Sequence, residues 1–290
     1  LTRLLFDPTR AAEQARLYNA DNTNWKHRMD LNLSGKHALV CGGTEGIGRA
    51  AAHELALLGA DVTLLARRAD VLTSVAASLP CPFAGQSHDW IAADVAHTAQ
   101  LGAQVQALAS ASPVHILINN TGGPPGGRAL DAEAEGFLDA FHKHLLANQA
   151  LVKAVVPGMQ GAQWGRIVNV ISTSVKEPIA NLGVSNTIRG AVASWAKTLS
   201  RELAGDGITV NNVLPGYTRT GRLEQILDDR STASGKTRDA VAASMLSTVP
   251  VGRFAEASEI AAAIAFLASP AAAYINGVSL AVDGGRMQSI

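Results

Sequence analysis

Leu39-Val40-Cys41-Gly42-Gly43-Thr44-Glu45-Gly46-Ile47-Gly48-Arg49-Ala50 passes from a short aliphatic run, through spaced glycines, into an alanine-rich stretch. Gly42, Gly46 and Gly48 stand where a strand ends and a helix begins. There the backbone can turn tightly and bring bare N–H groups and a helix N-terminus against a pyrophosphate. With Thr44, Glu45 and Ile47 between the glycines, a dinucleotide is the natural ligand, although glycines alone also make ordinary turns. The next strand sharpens the reading. It ends Val62-Thr63-Leu64-Leu65-Ala66-Arg67-Arg68, about twenty residues past the glycines, where a ribose-selecting residue belongs. An NAD site would carry Asp or Glu at Ala66. The neutral residue followed by Arg67 and Arg68 suits a 2′-phosphate instead. NADP(H) is therefore expected, with NAD(H) as the alternative. Glu45 weighs against it, because its carboxylate could lie near that phosphate.

Outward from this turn, short β-branched or aliphatic runs alternate with longer alanine-rich stretches. Strands are expected at His37–Gly42, Asp61–Ala66, Ser87–Ala92, Val114–Asn119, Gly165–Ser172, Thr209–Leu214 and Gly277–Val282. Helices are expected at Gly46–Leu58, Ala69–Ser78, Ala99–Ala109, Ala132–Met159, Asn186–Leu203 and Ala257–Leu267. This is the order of a doubly wound α/β Rossmann fold, a seven-stranded, mostly parallel sheet with helices on both faces. One domain over residues 34–290 follows, preceded by an N-terminal arm over 1–33. The polar segment 221–250 follows a strand end, where such folds place ligand-covering loops.

Of the 290 residues, 47% are hydrophobic and 17% charged, enough apolar material for a large core. Lys+Arg and Asp+Glu are both 24, so no strongly basic surface draws the chain to nucleic acid. Two cysteines, Cys41 and Cys81, are too few for a disulfide framework or a metal cluster. The longest uncharged stretch, Ile260 to Val282, contains Ser269, Pro270, Asn276, Gly277 and Ser279 and reads as helix, turn and buried strand, not as a membrane span. Near the N-terminus, Arg3, Asp7 and Arg10 interrupt any export-type apolar run. A cytoplasmic protein with no membrane, nucleic-acid or metal partner is expected.

Five motifs in order give the chain, over roughly residues 34 to 286, a close resemblance to the short-chain dehydrogenase/reductase family. The family's T-G-x-x-x-G-x-G appears with Cys41 in place of the threonine. Asn119-Asn120-Thr121-Gly122 resembles its Asn-Asn-Ala-Gly, and Asp94-Val95 its adenine-contacting pair. Pro215-Gly216-Tyr217-Thr218-Arg219-Thr220 resembles its Pro-Gly-x-x-x-Thr, and Val282-Asp283-Gly284-Gly285 its closing strand and turn. The resemblance implies cofactor contacts at Asn120, Thr121, Gly122, Pro215, Gly216, Thr218 and Thr220. It also implies assembly as a homotetramer or homodimer through the fourth and fifth helices and the last strand.

The family's catalytic group is an Asn, a Ser and a Tyr-x-x-x-Lys pair. Here only the serine matches, as Ser172 at the end of Gly165-Arg166-Ile167-Val168-Asn169-Val170-Ile171-Ser172. The tyrosine and lysine positions fall on Ser185 and Arg189, and the asparagine position on His144. A serine hydroxyl is a far weaker acid than a phenol, and an arginine does not exchange protons near neutral pH. His144 is the best replacement, since an imidazole titrates near working pH, with an idle, hydrogen-bonded helix residue as its bland alternative. His142, Lys176 and Tyr217 are further candidates. Arg189 can hold the nicotinamide ribose or an anionic substrate group.

The reading that follows is an NADP(H)-dependent oxidoreductase moving a hydride to or from a small carbonyl or alcohol, with an altered proton relay through His144, Ser185 or water. The alternative is a non-catalytic NADP(H)-binding protein that acts as a sensor or assembly partner. A weaker third is a lyase or isomerase in which Arg189 and Lys176 stabilise an oxyanion.

Overall fold

The computed structural model describes residues 29–289; most of the expected arm falls on residues 1–28, outside the described residues. Seven parallel strands form one sheet in the order β3-β2-β1-β4-β5-β6-β7. They are β1 (His37–Cys41), β2 (Asp61–Ala66), β3 (His88–Ala92), β4 (Ile116–Asn119), β5 (Gly165–Val170), β6 (Ile208–Pro215) and β7 (Ser279–Val282). Between β1 and β4 the winding reverses, which opens a crevice at the carboxyl ends of those strands.

Side chains of a strand alternate between the two faces of the sheet, and both faces here are apolar. Ala38 and Val40 of β1 pack with α1 (Gly46–Leu57), α2 (Ala69–Ala77) and α9 (Ala257–Ala268). Leu39 and Cys41 pack on the other side with α3 (Thr98–Ala111), α5 (Ala147–Gly161) and α6 (Gly183–Glu202). Burial pushes the Cys41 thiol up to about 12, and no thiolate forms there. Cys41 and the exposed Cys81 are both free thiols. Leu33 is fully buried in the first of these cores and donates its N–H to the Leu58 carbonyl at 2.8 Å, so the domain takes in the last residue of the expected arm.

A polar ladder crosses the sheet just below the crevice. Asn119 Nδ2 donates to Asn169 Oδ1 at 2.8 Å, Asn169 Nδ2 to Asn212 Oδ1 at 2.9 Å, and Asn212 Nδ2 to Ser279 Oγ at 3.1 Å. These residues are direct partners in the strand register, and the three asparagines are buried.

Two expectations need correction. The stretch Ala132–Met159 is not one helix. It comprises α4 (Ala134–Phe141), a π-helical turn His142–Leu146, and α5. The segment 221–250 is not loop either: α7 (Gly221–Ser234) and α8 (Arg238–Leu246) occupy most of it. The Thr220 and Thr237 hydroxyls accept from the Leu223 and Ala240 N–H groups and so cap the two helices. Leu223, Leu227, Val241 and Met245 then bury against Phe254 in a small core of their own. Polar composition hid the apolar residues that fix these helices. Among the described residues no helix is long and apolar enough to cross a membrane, and no cluster of three or more His, Cys, Asp or Glu could hold a metal.

Candidate active site

A cleft of about 910 Å³ opens at the carboxyl ends of the central strands. Gly42, Thr44, Glu45, Gly46 and Ile47 line its floor. Gly42 has φ 64°, a left-handed turn open to glycine. Glu45, the N-cap of α1, makes no side-chain cap, so the first N–H groups of that helix are left for an anion in the cleft. Gly48 does not line the cleft but sets its shape. A Cβ there would collide with the Gly42 carbonyl oxygen and stand 2.7 Å from Asn120 Nδ2. The helix can approach the strand end this closely only because residue 48 has no side chain. These features fit the diphosphate of a dinucleotide.

Arg67, Arg68, Asp94 and Val95 line the far end of the same cleft. Arg68 Nη2 stands 3.8 Å from Glu45 Oε2, both largely exposed. The carboxylate expected to disturb a 2′-phosphate is thus already matched to the guanidinium expected to bind it. Asp94 Oδ1 accepts from the Ala96 N–H at 2.9 Å, which fixes the turn after β3.

At the opposite end, β4 delivers Asn120, Thr121 and Gly122 to the cleft. Asn120 Nδ2 donates to the Cys41 carbonyl at 3.3 Å and ties the β4 loop to the glycine turn. Thr121 Oγ1 lies 2.6 Å from His144 Nδ1. His144 sits in the π-helical turn, a geometry that concentrates at functional sites. Burial, then the neighbouring charges of Arg189 and Lys143, push its pKa down to about 3. The expectation that this imidazole titrates near working pH is therefore not met; it is neutral there.

Ser172 follows β5 and caps a 3₁₀ turn, its Oγ accepting from the Ser174 N–H at 3.1 Å. Ser185 and Arg189 lie one turn apart on α6, on the face toward the cleft. Arg189 is 7% exposed. Its Nη1 donates to the Val170 carbonyl at 3.0 Å and its Nη2 to that of Thr121 at 3.4 Å, bridging the ends of β5 and β4. Pro215, Gly216, Thr218 and Thr220, at and after the end of β6, close the wall.

Ser172, Ser185, Arg189 and His144 thus line one cleft with every cofactor residue expected from sequence except Gly48. Tyr217 lines it too, with the Arg286 guanidinium 4.5 Å from its ring centroid. His142 and Lys176 are exposed and lie outside its wall. Arg222, at the start of α7, belongs to the wall and was missed; a cation just past the Thr220 cap was the available signal.

The fold and this crevice define a doubly wound, dinucleotide-binding α/β protein. The sequence pattern of the family described as enoyl-(acyl carrier protein) reductase matches residues 42–286. A 3-oxoacyl-[acyl-carrier-protein] reductase, FabG, of Vibrio cholerae is 35% identical over 258 residues, covering 88% of this chain and 98% of the relative. L-sorbose reductase from Gluconobacter frateurii, solved with NADPH and L-sorbose, superposes with a TM-score of 0.83 at 30% identity, over 90% of this chain and 100% of that one. YwfH, an NADPH-dependent reductase of bacilysin biosynthesis, superposes with a TM-score of 0.83 at 29% identity, over 89% and 100%. The chain belongs to the short-chain dehydrogenase/reductase family of NAD(P)-dependent oxidoreductases.

Proposed function

We propose that the protein is an NADP(H)-dependent oxidoreductase that interconverts a small carbonyl compound and its alcohol with an altered proton relay. The observation that carries this reading is the meeting of Ser172, Ser185, Arg189 and His144 at one end of a cleft whose other end holds the glycine turn and Arg68. The bound cofactor supplies or takes the hydride. In reduction, a hydride and a proton add across C=O, and the chain must hold the oxygen and deliver the proton.

Ser172 donates its hydroxyl proton in a hydrogen bond to the reacting oxygen, since its backbone is pinned by the 3₁₀ turn it caps. Arg189 supplies fixed positive charge and donors for the nicotinamide ribose or for the substrate, without proton exchange. The neutral His144 ring, with one nitrogen on the Thr121 hydroxyl, can take a proton at one nitrogen while giving one at the other, so it relays without holding charge. Ser185 or an ordered water completes the path to the oxygen. Exposed Tyr274, Val278 and Leu280, beside and within the edge strand β7, support a homotetramer or homodimer joined there.

The rival reading, a non-catalytic NADP(H)-binding protein, draws on the low His144 pKa and the absence of a phenol at Ser185. Carbonyl-dependent oxidation of NADPH across a panel of ketones and oxo acids separates the two. The expected result is turnover that falls about 100-fold or more in Ser172→Ala, with NADPH binding intact. No turnover by the native chain with any carbonyl compound would select the rival.

A further inference from the structure

Two guanidiniums face the reacting end of the cleft without a counter-ion among the described residues. Arg189 uses both Nη atoms on backbone carbonyls, while its Nε is buried with no hydrogen-bond partner. Arg222 donates from Nη2 to the Pro124 carbonyl at 2.9 Å and from Nη1 to Gln225 Oε1 at 3.2 Å. Among the described residues neither arginine forms an ion pair. Residue 123 lies between them. A Cβ there would stand 3.8 Å from Arg222 Nη2 and 3.9 Å from Arg189 Nη2, and Gly123 places no side chain in that space.

The acids of the same cleft are engaged elsewhere. Glu45 faces Arg68 at 3.8 Å, Asp94 caps its own turn, and Asp139 holds Lys143 at 2.7 Å. Burial, then the charge of Arg222, push Arg189 down to about 10, the direction expected for a buried cation beside another cation. A buried, unpaired charge is costly, and a ligand that neutralises it gains what the apo protein forgoes.

We propose that Arg189 and Arg222 form a subsite for the carboxylate of an anionic substrate, an oxo or hydroxy acid whose reacting oxygen faces Ser172. This rests on the oxidoreductase reading above and names its substrate class. A guanidinium fork matches the two oxygens of a carboxylate, and two forks on either side of one glycine select for it over a neutral group. The diphosphate and the 2′-phosphate of the cofactor are the other anions within the cleft, the 2′-phosphate beside Arg68 at its far end. The diphosphate has a place of its own at the uncapped start of α1, so loss of Arg222 should spare it.

The test reads binding, independent of turnover. The NADP+-loaded full chain is titrated by calorimetry with 2-oxobutanoate and 2-oxohexanoate, each against its primary amide. Binding of the acids and not the amides is expected, with acid affinity reduced about tenfold or more in Arg222→Gln, retained better in Arg222→Lys, and reduced in Gly123→Val. Affinity for NADP+ should change less than about twofold in Arg222→Gln. Equal binding of acid and amide, binding of neither, or a parallel loss of NADP+ affinity would overturn the subsite. A native chain that binds the acids yet turns over no carbonyl compound would retain the subsite and remove the oxidoreductase reading.

Discussion

Thr121 Oγ1 and His144 Nδ1, 2.6 Å apart, join the loop after β4 to the π-helical turn, where burial and then the charges of Arg189 and Lys143 keep the imidazole neutral. The native pKa of His144 is about 3, against an ordinary value of 6.5. A histidine lowered in this way costs nothing above pH 6.5. As pH falls from there toward 3, the unfolded chain takes up a proton that the folded chain refuses, and stability drops. His144→Asn should therefore flatten the decline, narrowing the stability lost between pH 7 and pH 5.5 by about 1 kcal/mol. Urea midpoints at the two values measure it. An unchanged slope would mean that the native ring takes up its proton at the same pH as the unfolded chain.

The ion pair between Arg68 and Glu45 gives a prediction about cofactor choice. Both side chains are exposed and 3.8 Å apart, so their attraction is screened and weak, and a 2′-phosphate can compete for Arg68. Arg68→Gln should weaken NADPH binding about tenfold and leave NADH binding nearly unchanged. Glu45→Gln should tighten NADPH, because the guanidinium loses its competitor. Fluorescence titration with both cofactors, at low and high salt, distinguishes these effects from a general loss of folding. Equal effects on NADPH and NADH would remove Arg68 from the phosphate site.

The strands and the glycine turn were legible because their signals are local: a short apolar run followed by spaced glycines has few other uses. The position of Ser172 could be read from the end of its strand for the same reason. The π-helical turn could not. Its alanine- and leucine-rich surroundings read as unbroken helix, and the partner of His144 lies 23 residues away on another element. Residues 221–250 misled for a different reason: Leu223, Leu227, Val241 and Met245 are sparse among polar neighbours, and only their meeting with Phe254 makes them a core. Arg222 acquires meaning from Gly123 and Pro124, which the chain brings to it from the opposite wall.

The asparagine ladder beneath the cleft should be sensitive to truncation. Asn169 is fully buried, accepts from Asn119 and donates to Asn212. Asn169→Ala leaves a buried donor and a buried acceptor without partners on the two flanking strands. The loss should be roughly 2–4 kcal/mol of stability, since each such group costs about 1–3 kcal/mol. Equilibrium unfolding in urea measures it. A variant as stable as the native chain would mean that water enters the sheet and replaces the side chain.

Gly48 ties cofactor binding to the packing of α1 against β1. A methyl group at this position meets the Gly42 carbonyl and Asn120 Nδ2, the two elements that shape the phosphate turn. Helix propensity favours alanine over glycine at an interior position, so propensity alone predicts that Gly48→Ala stabilises α1 by up to about 1 kcal/mol. The collision should win, because its partner is backbone at the end of a buried strand and cannot swing aside. Overpacking of this kind costs about 1–3 kcal/mol. Relief comes by sliding α1 away from β1, which moves the N–H groups at the helix start away from the diphosphate. Gly48→Ala should thus lose at least tenfold in NADPH affinity, by about 1.4 kcal/mol per decade, along with a lower melting temperature. A variant that melts lower but binds NADPH as tightly as the native chain would show that the helix start does not contact the diphosphate.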